Sequence, residues 1–91
     1  MIKSFAHKAL ENFFLAGSKG DIPPGHAKKL ARQLSILNVA ASVQDMDRPG
    51  WRLRQISTGQ GSVWVKDNWH LTFRFEGEDA EAVDYQDSHR E

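Results

Sequence analysis

Residues 69–75, WHLTFRF, alternate so strictly that they admit one reading. Trp69, Leu71, Phe73 and Phe75 fall on one face, and His70, Thr72 and Arg74 on the other. The period is that of a strand with a core on one side and a polar surface on the other. Asp67-Asn68 just before it is a two-residue turn, since Asn tolerates the positive φ that hairpin turns require, and residues 62–66 read as the partner strand. Upstream, Trp51 and Leu53 alternate with Arg52 and Arg54, which predicts a further strand. Downstream, residues 76–79 form the next turn and residues 81–85 a weaker last strand.

The first half of the chain carries a different period. After a short apolar stretch at residues 2–5, suited to an edge strand, Leu10, Phe13 and Phe14 recur at helical spacing within residues 7–16. Gly17, Ser18 and Gly20 end that helix. Pro23 and Pro24 suit the first turn of a second, in which Ala27, Leu30, Ala31, Leu34 and Leu37 face inward as far as about Ala41 and Lys28, Lys29 and Arg32 face out. Arg48-Pro49-Gly50 marks the turn between the halves. The expectation is an α+β fold, two N-terminal helices packed on one face of an antiparallel sheet, with residues 1–91 as one domain.

Ninety-one residues, 40% of them hydrophobic, suffice for one modest core. With no cysteine, disulfides and thiolate metal sites are excluded, and four unpaired histidines give no metal-ligand spacing. No stretch has the length of a membrane span or the form of a signal peptide, which fits a cytoplasmic location and no membrane contact. The net charge of zero hides an asymmetry. Residues 1–75 hold eleven Lys or Arg against five Asp or Glu, and residues 76–91 hold one Arg against seven acids. A basic body suits RNA phosphate, whereas the acidic end is either a solvated terminus or part of a site.

Metal-free RNA cleavage needs a base near the 2′-hydroxyl, an acid near the departing 5′-oxygen and cations around the phosphorane. Arg52, Arg54, Lys66, His70, Arg74, Asp87 and His89 are the residues available for these roles. On the face opposite four large apolar residues, His70 is a candidate base, while an inert surface histidine is the plainer reading. His7 and His26 read as plain surface residues. Trp51, Trp69 and Phe73 at alternating positions read as core. Trp64 is out of phase with Val63 and Val65, which places it on the polar face for base stacking or partner contact. Lys28, Lys29 and Arg32 form a basic helical stripe, a solvated face by default or a contact for RNA phosphate.

The opening MIKSFAHKALENFFLAGSKGDIPPGHAKKLARQL, the central DMDRPGWRL, the strand VKDNWHLTFRF and the closing DYQDSH together resemble the HigB branch of the RelE-like toxins of bacterial toxin-antitoxin systems. The resemblance implies a RelE-like fold and a ribosome-dependent endoribonuclease that cuts mRNA without a cofactor. It also implies neutralisation by a HigA-like helix-turn-helix antitoxin, with DNA met only indirectly through that antitoxin. Position by position the chain departs from the family pattern. Arg54 stands where a His is common and Ser57 where a Lys is, and the loop that follows is about three residues shorter. Asn-Trp-Arg becomes Asn68, Trp69 and His70; Asp-Tyr-His becomes Asp87, Ser88 and His89; Lys66 keeps the basic residue before the hairpin turn.

Three functional readings remain open at this level. In one, Arg54 and His70 have exchanged the charge and the titratable group, so that Arg54, His70, Asp87 and His89 carry cleavage while Arg52, Lys66, Arg74, Trp64, Lys28, Lys29 and Arg32 hold RNA. In another, the chain is a catalytically degenerate toxin-like module that binds antitoxin or RNA without cutting. A plain dimerisation domain is the third and weakest option.

Overall fold

The computed structural model describes residues 1–18, 20 and 22–87. Helix α1 (Lys8–Ala16) starts at His7, whose Nδ1 accepts the Leu10 amide at 3.2 Å, and stops at Gly17, whose φ of 72° closes the helix in the left-handed conformation. Helix α2 (Pro24–Val39) has a proline in its first turn and buries Leu30, Leu34 and Leu37. A 3-10 turn at Val43–Met46 leads to four strands, β1 (Arg54–Ser57), β2 (Gln60–Lys66), β3 (Trp69–Glu76) and β4 (Asp79–Asp87), antiparallel in sequence order.

The helices cover one face of this sheet, as the α+β expectation requires. Val63, Val65, Leu71, Phe73, Val83 and Tyr85 meet Leu10, Phe13, Leu30, Leu34 and Leu37 in a single core. Burial of the apolar side chains supplies the driving force. Polar groups fix the register of helix on sheet: Gln33, fully buried, donates from Nε2 to the Trp64 carbonyl at 2.9 Å. Its Oε1 is buried with no hydrogen-bond partner among the described residues.

Several local expectations are corrected. Residues 2–5 do line a sheet edge, but parallel to β4, through the bridges Ile2 to Ala80 and Phe5 to Val83. The last strand is as strong as its neighbour, because that parallel pairing gives β4 a partner on both sides. β1 starts at Arg54 and not at Trp51. The Trp51 carbonyl accepts the Trp64 amide at 2.7 Å, and Arg52 then turns to φ 51°, which breaks the ladder. At the β2–β3 turn the positive φ is taken by Asp67 (55°). Helix α2 ends two residues early, with Ala40 already extended.

The largest correction concerns His7 and His26. His26 is 5% exposed, its Nδ1 is hydrogen-bonded to the Tyr85 hydroxyl, and Trp69 stacks on the Tyr85 ring at 4.6 Å with His7 edge-on to it. Both histidines belong to an aromatic cluster joining the starts of the helices to the end of β4. Burial pushes the Tyr85 hydroxyl up to about 12.

Tyr85 is the chain's single tyrosine, so its titration can be followed directly by phenolate absorbance. A folded pKa raised above the ordinary value of about 10 stabilises the fold fully below that pH and ceases to do so as pH rises through about 12. Urea unfolding midpoints across this range should fall for the parent and fall less for Tyr85→Phe. Identical slopes would show that the hydroxyl is not buried in solution. A second test is Gly61→Ala. An added Cβ would meet Val43 Cγ1 at 2.9 Å and Phe73 Cε1 at 3.3 Å, so a loss of roughly 1–3 kcal/mol is expected in the same assay.

Candidate functional site

The sheet face away from the helices is where the polar residues of adjacent strands line up. Register sets two rows across it: Arg54, Ser62, Thr72 and Asp84 in one, and Trp64, His70 and Gln86 in the other. Paired residues of a sheet point the same way, so each row presents its side chains together. The rows form an open groove of about 440 Å³ lined by Arg52, Arg54, Gln55, Ile56, Ser62, His70, Thr72 and Gln86.

Within it, Arg52 and Arg54 are exposed and His70 is half-buried. His70 Nδ1 lies 3.1 Å from the Asn68 carbonyl oxygen. A carbonyl only accepts, so Nδ1 carries the proton and Nε2 is the basic nitrogen of the neutral ring. Ser62 and Thr72 add hydroxyls and Gln86 an amide beside it. Chemically, the groove offers two permanent cations, one imidazole and several neutral hydrogen-bonding groups, with the Asp84 carboxylate at the end of one row. The cations and the imidazole suit a polyanion with a reactive proton. Among the described residues no group of three or more His, Asp or Glu is placed to hold a metal ion.

Next to the groove, Trp64 is on the polar face as its phase suggested, but its ring is not bare. Lys29 Nζ lies 4.1 Å and Arg52 Cζ 4.2 Å from the indole centroid, and the indole N–H donates to the Asp67 carbonyl at 2.8 Å. Burial, and then the charge of Arg52, lower the Lys29 pKa.

The remaining sequence candidates lie elsewhere. Arg74 is outside the groove and binds Glu81 at 2.8 Å, an interaction that raises its pKa. Lys66 extends over the first turn of α2 beside Gly25. The helical basic stripe divides: Lys29 turns to Trp64 and to the Gly50 carbonyl, Lys28 lines a depression between α1 and α2, and Arg32 is exposed. Asp87 ends β4 opposite Trp69. By strand alternation it therefore belongs to the helix-facing side, one residue past Gln86. His89 and Ser88 lie outside the described residues.

Thr72 stands on the polar face beside His70, as the alternation of the strand placed it. Sequence reasoning missed Ser62, Gln86 and Asp84. The last is a carboxylate on the groove face, and it accepts from the Tyr85 amide and from Gln86 Nε2, each at 2.8 Å. Only the strand register could have found these three residues, and no local motif encodes it.

Comparison with known proteins agrees with this architecture. Residues 3–89 match the family model for HigB-like toxins, described as RelE-like toxins of the type II toxin-antitoxin system HigB. The chain is 30% identical over 92 residues to Endoribonuclease HigB of Proteus vulgaris, covering 98% of this chain and all of the relative. Among the described residues no helix is long and apolar enough to cross a membrane. With a match over nearly its whole length and two helices on a four-stranded antiparallel sheet, the chain belongs to the RelE-like HigB toxins of type II toxin-antitoxin systems.

Proposed function

We propose that this toxin is an endoribonuclease that cuts mRNA on the ribosome by general acid-base chemistry in the groove of Arg52, Arg54 and His70. The observation that carries the reading is that grouping: two guanidiniums and an imidazole with its Nε2 basic share one open polar face, in a chain whose relative is named an endoribonuclease. His70 Nε2 takes the proton of the 2′-hydroxyl as that oxygen attacks phosphorus. Arg54 then stabilises the charge on the non-bridging oxygens. The 5′-oxygen leaves with a proton from a second group, for which His89, with Asp87 beside it in sequence, is the proposed donor. The products are a 2′,3′-cyclic phosphate and a 5′-hydroxyl end.

The partners proposed are the ribosome with its mRNA and a HigA-like helix-turn-helix antitoxin, through which DNA is met indirectly, all in the cytoplasm. A second reading has one observation in its favour. Asp87 is in register with Trp69, on the side away from the groove, so a module that binds antitoxin or RNA without cutting keeps standing as the alternative.

Primer extension on a translated mRNA with purified ribosomes decides between them. Cuts at the ribosomal A site are expected. Intact mRNA at high protein concentration, with growth unaffected by expression of the chain alone, would establish the binding module instead.

His70→Ala and His89→Ala should each lower the cleavage rate by roughly 10²- to 10⁴-fold, with the melting temperature and antitoxin binding retained. Parental rates in both variants would remove the two histidines from the mechanism. The two candidate arginines of the strands should separate. Arg54→Ala should reduce both RNA affinity and rate, while Arg74→Ala, already bound to Glu81 and outside the groove, should leave the rate within about threefold.

A further inference from the structure

Lys29 and Arg52 reach the same indole from different elements, Lys29 from the second turn of α2 and Arg52 from the turn before β1. Among the described residues neither cation has a carboxylate within ion-pair distance; Lys29 has only the Gly50 carbonyl, at 3.3 Å. Three unfavourable features therefore coincide. Like charges are drawn together, an ammonium is partly buried, and Arg52 holds a left-handed φ of 51° that a non-glycine residue rarely adopts. The quadrupole of the Trp64 ring offsets part of the repulsion. An anion bound by both the ammonium and the guanidinium would offset the rest.

We propose that Lys29 and Arg52, held by the Trp64 indole, form a subsite for one backbone phosphate of single-stranded RNA flanking the groove. Trp64 is then a positioning residue, in place of the base-stacking role its exposure suggested from sequence. Arg52 makes the link. It lies over the indole and also lines the groove, so an anion bound there is continuous with a strand running past Arg54 and His70. A guanidinium and an ammonium that share one indole, at 4.2 and 4.1 Å from its centroid, suit a phosphodiester, whose two non-bridging oxygens can accept from both. The inference rests on the endoribonuclease reading and extends it by a binding contact outside the reacting atoms.

Steady-state cleavage on programmed ribosomes, and equilibrium binding of an uncleavable 2′-O-methyl mRNA presented in the same way, test it together. For Lys29→Ala and Trp64→Leu the expected result is a KM raised roughly tenfold with kcat nearly unchanged, while Arg52→Ala, which also lines the groove, should raise KM and lower kcat. The slope of log affinity against log salt should be reduced by about 0.7, one phosphate of a single strand. Combining Trp64→Leu with Lys29→Ala should add little, because both remove the same contact. Trp64→Phe, which keeps an aromatic face, should fall between Trp64→Leu and the parent.

The indole N–H also binds the β2–β3 turn, so thermal melting of each Trp64 variant is measured first. Lys29→Ala, outside the groove, carries the test alone if Trp64→Leu does not fold. A fall in kcat with KM unchanged, an unaltered salt slope, or a loss of antitoxin affinity in place of RNA affinity would each overturn the subsite. Should the parent fail to cut at all, the endoribonuclease reading falls, and the salt slope for the uncleavable RNA still decides the phosphate subsite.

Discussion

Strand β3 is the constraint on which the rest of the molecule depends. It is paired on both sides, to β2 and to β4, and its Leu71 and Phe73 are closed off from solvent by the helices. With a period of two, the positions that anchor the core fix, without further choice, which residues face away from it. A slip of one residue would bury His70 and Thr72 and expose Leu71 and Phe73. The cost of burying an unpaired imidazole and of exposing two large apolar groups makes the register firm. The groove is the necessary reverse side of the core.

The same one-sided burial is what the sequence makes legible. The limits of β3, the two faces of its residues and both helices follow from periodicity, because one-sided burial leaves a repeating pattern in the sequence. The Tyr85 cluster leaves none. His26 and Tyr85 are 59 positions apart, and each alone looks like an ordinary surface-compatible residue. The same holds for the groove-lining Ser62 and Gln86, polar residues whose meaning comes from pairing with Thr72 and His70. Arg54 and His70 could be named as candidates because arginine and histidine stand out chemically. Their convergence in space was beyond local reasoning, as was the separation of Arg74 by its pairing with Glu81.

Charge takes up a spatial order that the linear asymmetry only hints at. The acidic residues beyond position 75 are not gathered in a tail among the described residues. Asp79, Glu81 and Asp84 are spread along β4, where Asp79 pairs with the N-terminal amine and Glu81 with Arg74. Exposed pairs of this kind add little stability. Their effect is on the field across the sheet: the β4 side carries carboxylates, some neutralised locally, while Arg52, Arg54 and Lys29 have no carboxylate within ion-pair distance among the described residues. A polyanion approaching this face would be drawn toward Arg52 and Arg54 and repelled from the β4 side, so that the gradient would orient it as well as attract it.

Arg52 shows how fold and site are set against each other. Its φ of 51° ends the pairing of the Trp51 segment with β2 and delays the start of β1, shortening an edge strand that continued alternation would have lengthened. In exchange, the guanidinium leaves the alternating pattern. In a regular strand Arg52 would take its direction from Arg54 two residues on, and the two side chains would stand in parallel on one face. The left-handed residue instead swings Arg52 over the Trp64 ring while its other edge stays on the groove. Glycine would relieve the backbone and lose the cation; a longer β1 would keep the cation and lose its direction. The left-handed conformation places the guanidinium between the indole and the groove, a direction that continued alternation would not have given it.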